Sequence, residues 1–233
     1  PTLAVRFHAS RWTEPHAASR PQETNGATRV RVEFKDRLRK QEIEHNLQDW
    51  LRSPVSLLFF KKIRNLTVGD EQILWKRGGD GPVPNSQWMC LQRAAADAKL
   101  LLIRSEEEPF PDDALQEIRL QRMVRASEET AFPPCRVEIV LGAEGRLYVV
   151  LPTGVQTDLP FAMNAPFIQD PARLKIKEPE ISPTNSWLLE RIGKLAASSL
   201  LRWLQADLPN REKAKAYDLL PESGEENNSL EVV

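Results

Sequence analysis

Residues 185–208, NSWLLERIGKLAASSLLRWLQADL, are the segment that most constrains the fold. Leu188, Ile192, Leu195, Ser199 and Trp203 recur at helical spacing, and Leu189, Ala196 and Leu200 widen the stripe. A helix with one broad apolar stripe has to bury it against another layer. The preceding chain offers mostly strands for that layer. TRVRVEFK (28–35) alternates Val30, Val32 and Phe34 against Arg29, Arg31 and Glu33, the period of a half-buried strand. Residues 36–51 predict a helix, with Asp36 as N-cap and Pro54 as its stop. From 55 to 104, SLLFFKKI, NLTVGD, EQILWKR, QWMCLQRA and KLLLIRS predict an antiparallel meander with turns at Gly69-Asp70 and Gly78–Gly81. ALQEIRLQRMVRA (114–126) suits a short helix after Asp112-Asp113, and 135–152 a hairpin turning at Gly142–Gly145. The sum is an α+β fold: an antiparallel or mixed sheet with packed helices and a long C-terminal helix over 185–208.

With 41% hydrophobic and 28% charged residues, the chain can build a real core. Its net charge of −1 argues against a wholesale nucleic-acid or acidic-lipid binder. The two cysteines, Cys90 and Cys135, form no CxxC pair and no disulfide framework, so cytoplasmic residence is expected. No apolar run approaches the roughly 18 residues that a membrane helix needs. The chain begins Pro1-Thr2-Leu3, without an initiator methionine or a secretory leader, which leads to the expectation of an excised fragment or processed product.

Several motifs dissolve when weighed. Glu42, Asn46 and Asp49 share a helix face in the order that some ATPases use for magnesium and water, but no D-x-G-x-G or glycine-rich lid accompanies them. KRGGDGP (76–82) lacks the grammar of a phosphate loop and reads as a turn between strands. His8, His16 and His45 have no metal-ligand spacing. The basic clusters KDRLRK (35–40) and FFKKIR (59–64) are interleaved with acids and read as solvated faces.

The passage 151–175, LPTGVQTDLPFAMNAPFIQDPARLK, holds four prolines among Leu159, Phe161, Met163, Phe167 and Ile168. Proline removes a backbone donor, which disfavours a buried strand. So many apolar side chains disfavour a disordered linker. The passage therefore predicts a stiff, apolar-anchored loop ending in Arg173 and Lys175. Such a loop either aims a cation at an anion with little entropy left to lose, or simply pairs Arg173 with a carboxylate.

This passage, with NSWLLERIGKLAASSLL (185–201), resembles a segment of sacsin-like proteins built on L-P…L-P-F…N…F, then an arginine, then a tryptophan leading a long helix. GATRVRVEFKD (26–36) and SPVSLLFFKKIRNLTV (53–68) are similar to the strands flanking the junction of ATP-binding and middle domains in that family. The resemblance covers about residues 26–205 and implies the middle, transducer-like domain of heat-shock-ninety-like ATPases of the gyrase and histidine-kinase superfamily. It implies three segments: 1–27 as remnant or linker of an upstream ATP-binding domain, 28–208 as the middle domain, and 209–233 as a polar tail. The family's nucleotide-binding motifs would precede residue 26 and are absent, so this chain alone is expected to hold no cofactor, with ATP and Mg²⁺ belonging to the full-length protein. Arg173, with Lys175 as fallback, matches the loop cation that reaches the terminal phosphate in the neighbouring domain. The implied partners are that ATP-binding domain, a protein client and a second copy of the chain, in a chaperone-like or antiviral-defence role. The alternative is a scaffold domain docking a partner through exposed Phe161, Met163 and Phe167 in the 159–168 loop. A nucleic-acid module using 29–40 and 59–64 is a third, disfavoured reading.

Overall fold

The computed structural model describes residues 3–4, 7–8, 11–12, 16–17, 36–52, 54–60, 63–93, 97–123, 131–170 and 175–221. The chain divides into two compact units, Pro1–His45 and Asn46–Val233. The first holds two small antiparallel ladders. In one, β1 (Leu3–Ala4) pairs with β4 (His16–Ala17); in the other, β2 (Phe7–His8) pairs with β3 (Arg11–Trp12). The strand expected at 28–35 lies outside the described residues. Helix α1 (Arg37–Arg52) begins where Asp36 caps it, its carboxylate accepting from the Arg39 amide at 2.8 Å.

The second unit is built on one eight-stranded sheet. Before it comes α2 (Ser56–Phe59), a short buried helix where the sequence predicts a strand. SLLF is apolar without alternation, and periodicity cannot distinguish a buried helical turn from a buried strand. Pro54 decides it: its carbonyl accepts from the Leu57 amide at 2.9 Å and starts the turn. The meander then follows as expected: β5 (Asn65–Val68), β6 (Glu71–Asp80), β7 (Ser86–Arg93) and β8 (Ala98–Arg104), all antiparallel. Gly69 turns β5 into β6 at φ 59°. Gly78 and Gly79, however, lie inside β6 at a bulge, and the chain reverses after Gly81, with Asn85 at φ 57°.

After α3 (Asp112–Gln121) come β9 (Glu138–Leu141), β10 (Arg146–Val149), β11 (Leu151–Gln156) and β12 (Phe161–Asn164). The sheet order is β11-β10-β12-β9-β8-β7-β6-β5, and every pairing is antiparallel except that of β10 with β12. The expected β9–β10 hairpin is therefore not a paired one. β12 lies between its two arms, with Met163 opposite Ile139 on one side and Leu147 on the other. The proline argument fails here for a local reason. Pro160 and Pro166 flank the four-residue FAMN, which contains no proline and loses no donor, while Pro152 sits on the edge strand β11.

Two apolar layers result. On one face Leu101, Ile103, Ile139, Leu147, Phe161 and Met163 meet Leu188, Ile192 and Trp203 of α4 (Pro183–Gln205). On the other, Met89, Leu102, Val140 and Ala162 meet Leu57, Leu58 and Phe59 of the α2 segment, with the rings of Phe59 and Tyr148 5.3 Å apart. The long helix starts two residues earlier than expected, because Ser182 is its N-cap and Pro183 its first residue. Part of the expected polar tail also packs back: α5 (Asn210–Ala214) leads to a 3₁₀ turn that buries Ala216 and Leu219 in the first layer.

Phe161, Met163 and Phe167 are 3%, 1% and 4% exposed, so they form core and not the exposed docking patch expected of them. Phe161→Ala is expected to cost about 3–5 kcal/mol of stability, read from urea denaturation of the whole chain. A surface aromatic would change it by no more than about 0.5 kcal/mol.

Candidate functional site: a pinned loop between β12 and α4

The segment from Ala165 to Ser182 leaves the sheet at β12 and enters α4. Its entry is fixed by burial of Phe167 and by the Ala165 amide, which donates to the Tyr148 carbonyl at 3.3 Å. Beyond Phe167 the chain forms two antiparallel limbs. Lys177 N–H donates to the Ile168 carbonyl at 2.8 Å, Gln169 bridges Ile176, and Asp170 N–H donates to the Lys175 carbonyl at 2.9 Å. The Asp170 carboxylate accepts from the Lys175 amide at 3.2 Å.

Asn185 locks these limbs to the helix. Its Oδ1 accepts from the Ile168 amide at 2.8 Å, while its Nδ2 donates to the Ile168 and Lys177 carbonyls at 2.9 and 2.7 Å. A fully buried primary amide with three of its hydrogen-bonding positions filled by backbone is a strong orienting device.

Glu117 of α3 holds the same region from the other side. It is 8% exposed, and Lys177 Nζ donates to its Oε1 at 2.6 Å. Ser182 Oγ and the Thr184 amide donate to Oε2 at 2.9 and 3.1 Å. Burial pushes this carboxyl upward, but the hydrogen bonds from Lys177, Thr184 and Ser182 together outweigh it and hold it below its ordinary 4.5. A carboxylate at the start of α4 also complements the helix dipole. Glu117 was missed from sequence, although a signal existed. It lies three residues after Ala114 and one before Ile118, a charge on the helix's buried side.

A second fastening lies one helical stretch further on. Arg191, 5% exposed, donates from Nη1 to the Cys135 carbonyl at 3.0 Å and from Nη2 to Ser105 Oγ and the Glu106 carbonyl at 3.0 and 2.7 Å. It stacks over Trp187 at 4.7 Å and pairs with Glu108 at 3.3 Å. Burial, opposed by Arg191, raises the Cys135 thiol above its ordinary 9.0, so this sulfur is not poised as a nucleophile.

Of the expected site residues, Lys175 lies in one limb with its side chain exposed, and Arg173 lies outside the described residues, within the 171–174 connection that the limbs flank. Among the described residues no group of three or more His, Cys, Asp or Glu side chains could hold a metal ion, and no helix is long and apolar enough to cross a membrane. In the 35–40 cluster, Arg39 pairs with Glu42 at 2.6 Å and Lys40 with Glu44 at 3.6 Å, as a solvated face would. Comparison with family models, curated proteins and solved structures finds no match to the chain.

Because the folded Glu117 carboxyl titrates below 4.5, its stabilising effect is present above that value and is lost as pH falls through its folded pKa. Glu117→Gln is expected to lower stability at neutral pH by on the order of 1–3 kcal/mol, since buried donors lose an ionised acceptor. It should also flatten the loss of stability on acidification below pH 4.5, which urea midpoints for both proteins on either side of that pH would measure.

Proposed function

We propose that this chain is the middle, transducer-like domain of a larger sacsin-like or heat-shock-ninety-like ATPase. In this reading it couples ATP hydrolysis in a neighbouring domain to conformational change, in a cytoplasmic protein of chaperone-like or defence role. The observation that carries the proposal is the pinning of both limbs around residues 171–174. Backbone pairing fixes them to each other, Asn185 fixes them to α4, and Glu117 ties Lys177 to α3. Limbs so held would lower the ordering cost of presenting a cation from the connection between them, which electrostatic stabilisation of a phosphoryl group demands. Arg173 is the residue assigned to that task and Lys175 the secondary one.

The division of labour follows from what the chain offers. ATP and its Mg²⁺ are held by the neighbouring domain, where they supply the phosphoryl chemistry. Arg173 would balance the charge of the terminal phosphate, burial of β12 and Phe167 fixes where the 165–182 segment begins, and α4 would carry any displacement of the limbs along its 23 residues. A partner domain closing on this loop would bring the two halves of the site together.

The test uses the longest native polypeptide that contains this chain. Arg173→Ala is expected to depress ATP turnover by about 10³–10⁵-fold while nucleotide binding persists, with Lys175→Ala affecting turnover less. Unchanged turnover in Arg173→Ala overturns the proposal.

A further inference from the structure

The sheet face that packs on α2 changes character along its strands. Trp75, Met89, Leu102, Val140 and Ala162 belong to the apolar layer. Two positions further along each strand, on the same face by the alternation of strand side chains, stand Arg77, Gln87, Arg104, Glu138 and Asn164. Register sets Arg104 opposite Glu138 and Glu138 opposite Asn164. Arg77 and Gln87 are offset from the row of these three, opposite Met89 and Leu102, and with Arg104 they line a cleft of about 540 Å³ whose other walls include Asn85, Glu106 and Arg136. That volume is within the range of small-molecule sites, roughly 300–1,000 Å³.

Arg104 is held in an unusual way. Its Nε donates to Glu138 Oε1 at 2.9 Å, and Glu138, only 9% exposed, is steadied by Asn164 Nδ2 on Oε2 at 2.8 Å. Asn164 is in turn fixed by the Val150 amide on its Oδ1 at 2.8 Å. The three side chains form a relay that ends in a guanidinium whose two terminal nitrogens have no hydrogen-bond partner among the described residues. The fork of the two terminal nitrogens is the part of a guanidinium that can match a carboxylate or phosphate in two parallel bonds. Here the fork is left over. The Arg77 side chain makes no hydrogen bond or ion pair among the described residues, nor does the Gln87 side-chain amide.

We propose that this cleft is a binding site for a small polar molecule carrying one oxyanion group, a carboxylate or a phosphate monoester, gripped by the free fork of Arg104 together with Arg77. Gln87 supplies a further donor from the strand between them. The acidic wall limits the ligand. Arg136 is already paired with Glu107, and Asn85 Nδ2 donates to Glu106 Oε1 at 2.5 Å. Counting Glu138, three carboxylates face three guanidiniums, so the site has directed donors without a net positive field. A nucleic-acid backbone, which binds through accumulated positive charge, does not fit such a balance. A single oxyanion does. The site lies apart from the 165–182 segment, and nothing in it depends on the proposed ATPase role.

The test is an NMR titration of the ¹⁵N-labelled whole chain with inorganic phosphate and, separately, with acetate, at constant ionic strength against chloride. Saturable shifts of the Arg77 and Arg104 Nε–H resonances are expected, and whichever anion saturates first names the headgroup class. Arg77→Gln, a change at an exposed strand position, should weaken binding about tenfold or more, as loss of a charged hydrogen bond does. Arg104→Lys should weaken it as well, since lysine keeps the charge but not the fork. Shifts that climb linearly and match those of chloride overturn the proposal, as does an unaltered titration in Arg77→Gln.

Discussion

Four residues, Phe161–Asn164, hold this architecture together. Laid between β9 and β10 and parallel to the latter, β12 satisfies both neighbours' backbone groups at the middle of the sheet. Its alternation feeds both layers: Phe161 and Met163 go to the α4 side, Ala162 to the α2 side. Removing such a strand would leave two inner edges of buried amides and carbonyls without partners, a cost no surface loop could offset. Because β12 is central, whatever follows it starts from a fixed point. The 165–182 segment therefore begins in the core, which a docking loop would not.

Pinning that segment falls to buried polar groups. A buried carboxylate is expensive, several kcal/mol even after relaxation, unless donors surround it. Glu117 has three donors from three residues, one of them cationic, and its lowered titration is the sign that they win. Apolar packing could hold α3 to α4 as firmly, but it would not specify where the limbs of the loop lie. Hydrogen bonds to named backbone atoms do, and Asn185 makes three of them. This division, apolar layers for stability and buried polar groups for position, favours a loop whose geometry matters.

Legibility in the sequence followed the range of the forces involved. The stripe of α4 and the alternation of β6 to β8 are local periodicities, so they were readable, as was the cap at Asp36. The α2 turn was not, since SLLF carries no period. The insertion of β12 was hidden because it depends on pairing between segments about 15–25 residues apart, and its prolines, read one by one, argued for a loop. Burial of Phe161, Met163 and Phe167 went unseen for the same reason. At the segment after β12, Glu117 was not readable, since it lies 60 residues from Lys177 in sequence. The row of Arg104, Glu138 and Asn164, and the cleft that Arg77 and Gln87 line beside it, are visible only once the strand register is known.

Arg191 and Arg104 show how much that register adds to the reading of a cation. Both are arginines at the margin of a core, both touch acidic residues, and in the sequence both are unremarked basic positions. Arg191 donates from both terminal nitrogens, to two carbonyls and a hydroxyl, and leaves only Nε without a partner. Arg104 does the reverse, committing Nε to a buried carboxylate and leaving its fork over. A guanidinium has five N–H donors in a fixed plane, so which of them the fold consumes determines what remains for a ligand. Arg191 has spent the part that recognises oxyanions, and its role ends at fastening α4 to the loops beside β8 and β9. Arg104 has spent the part that orients, held through Nε by Glu138, which Asn164 in turn steadies, and its fork is left over at the cleft that Arg104 lines.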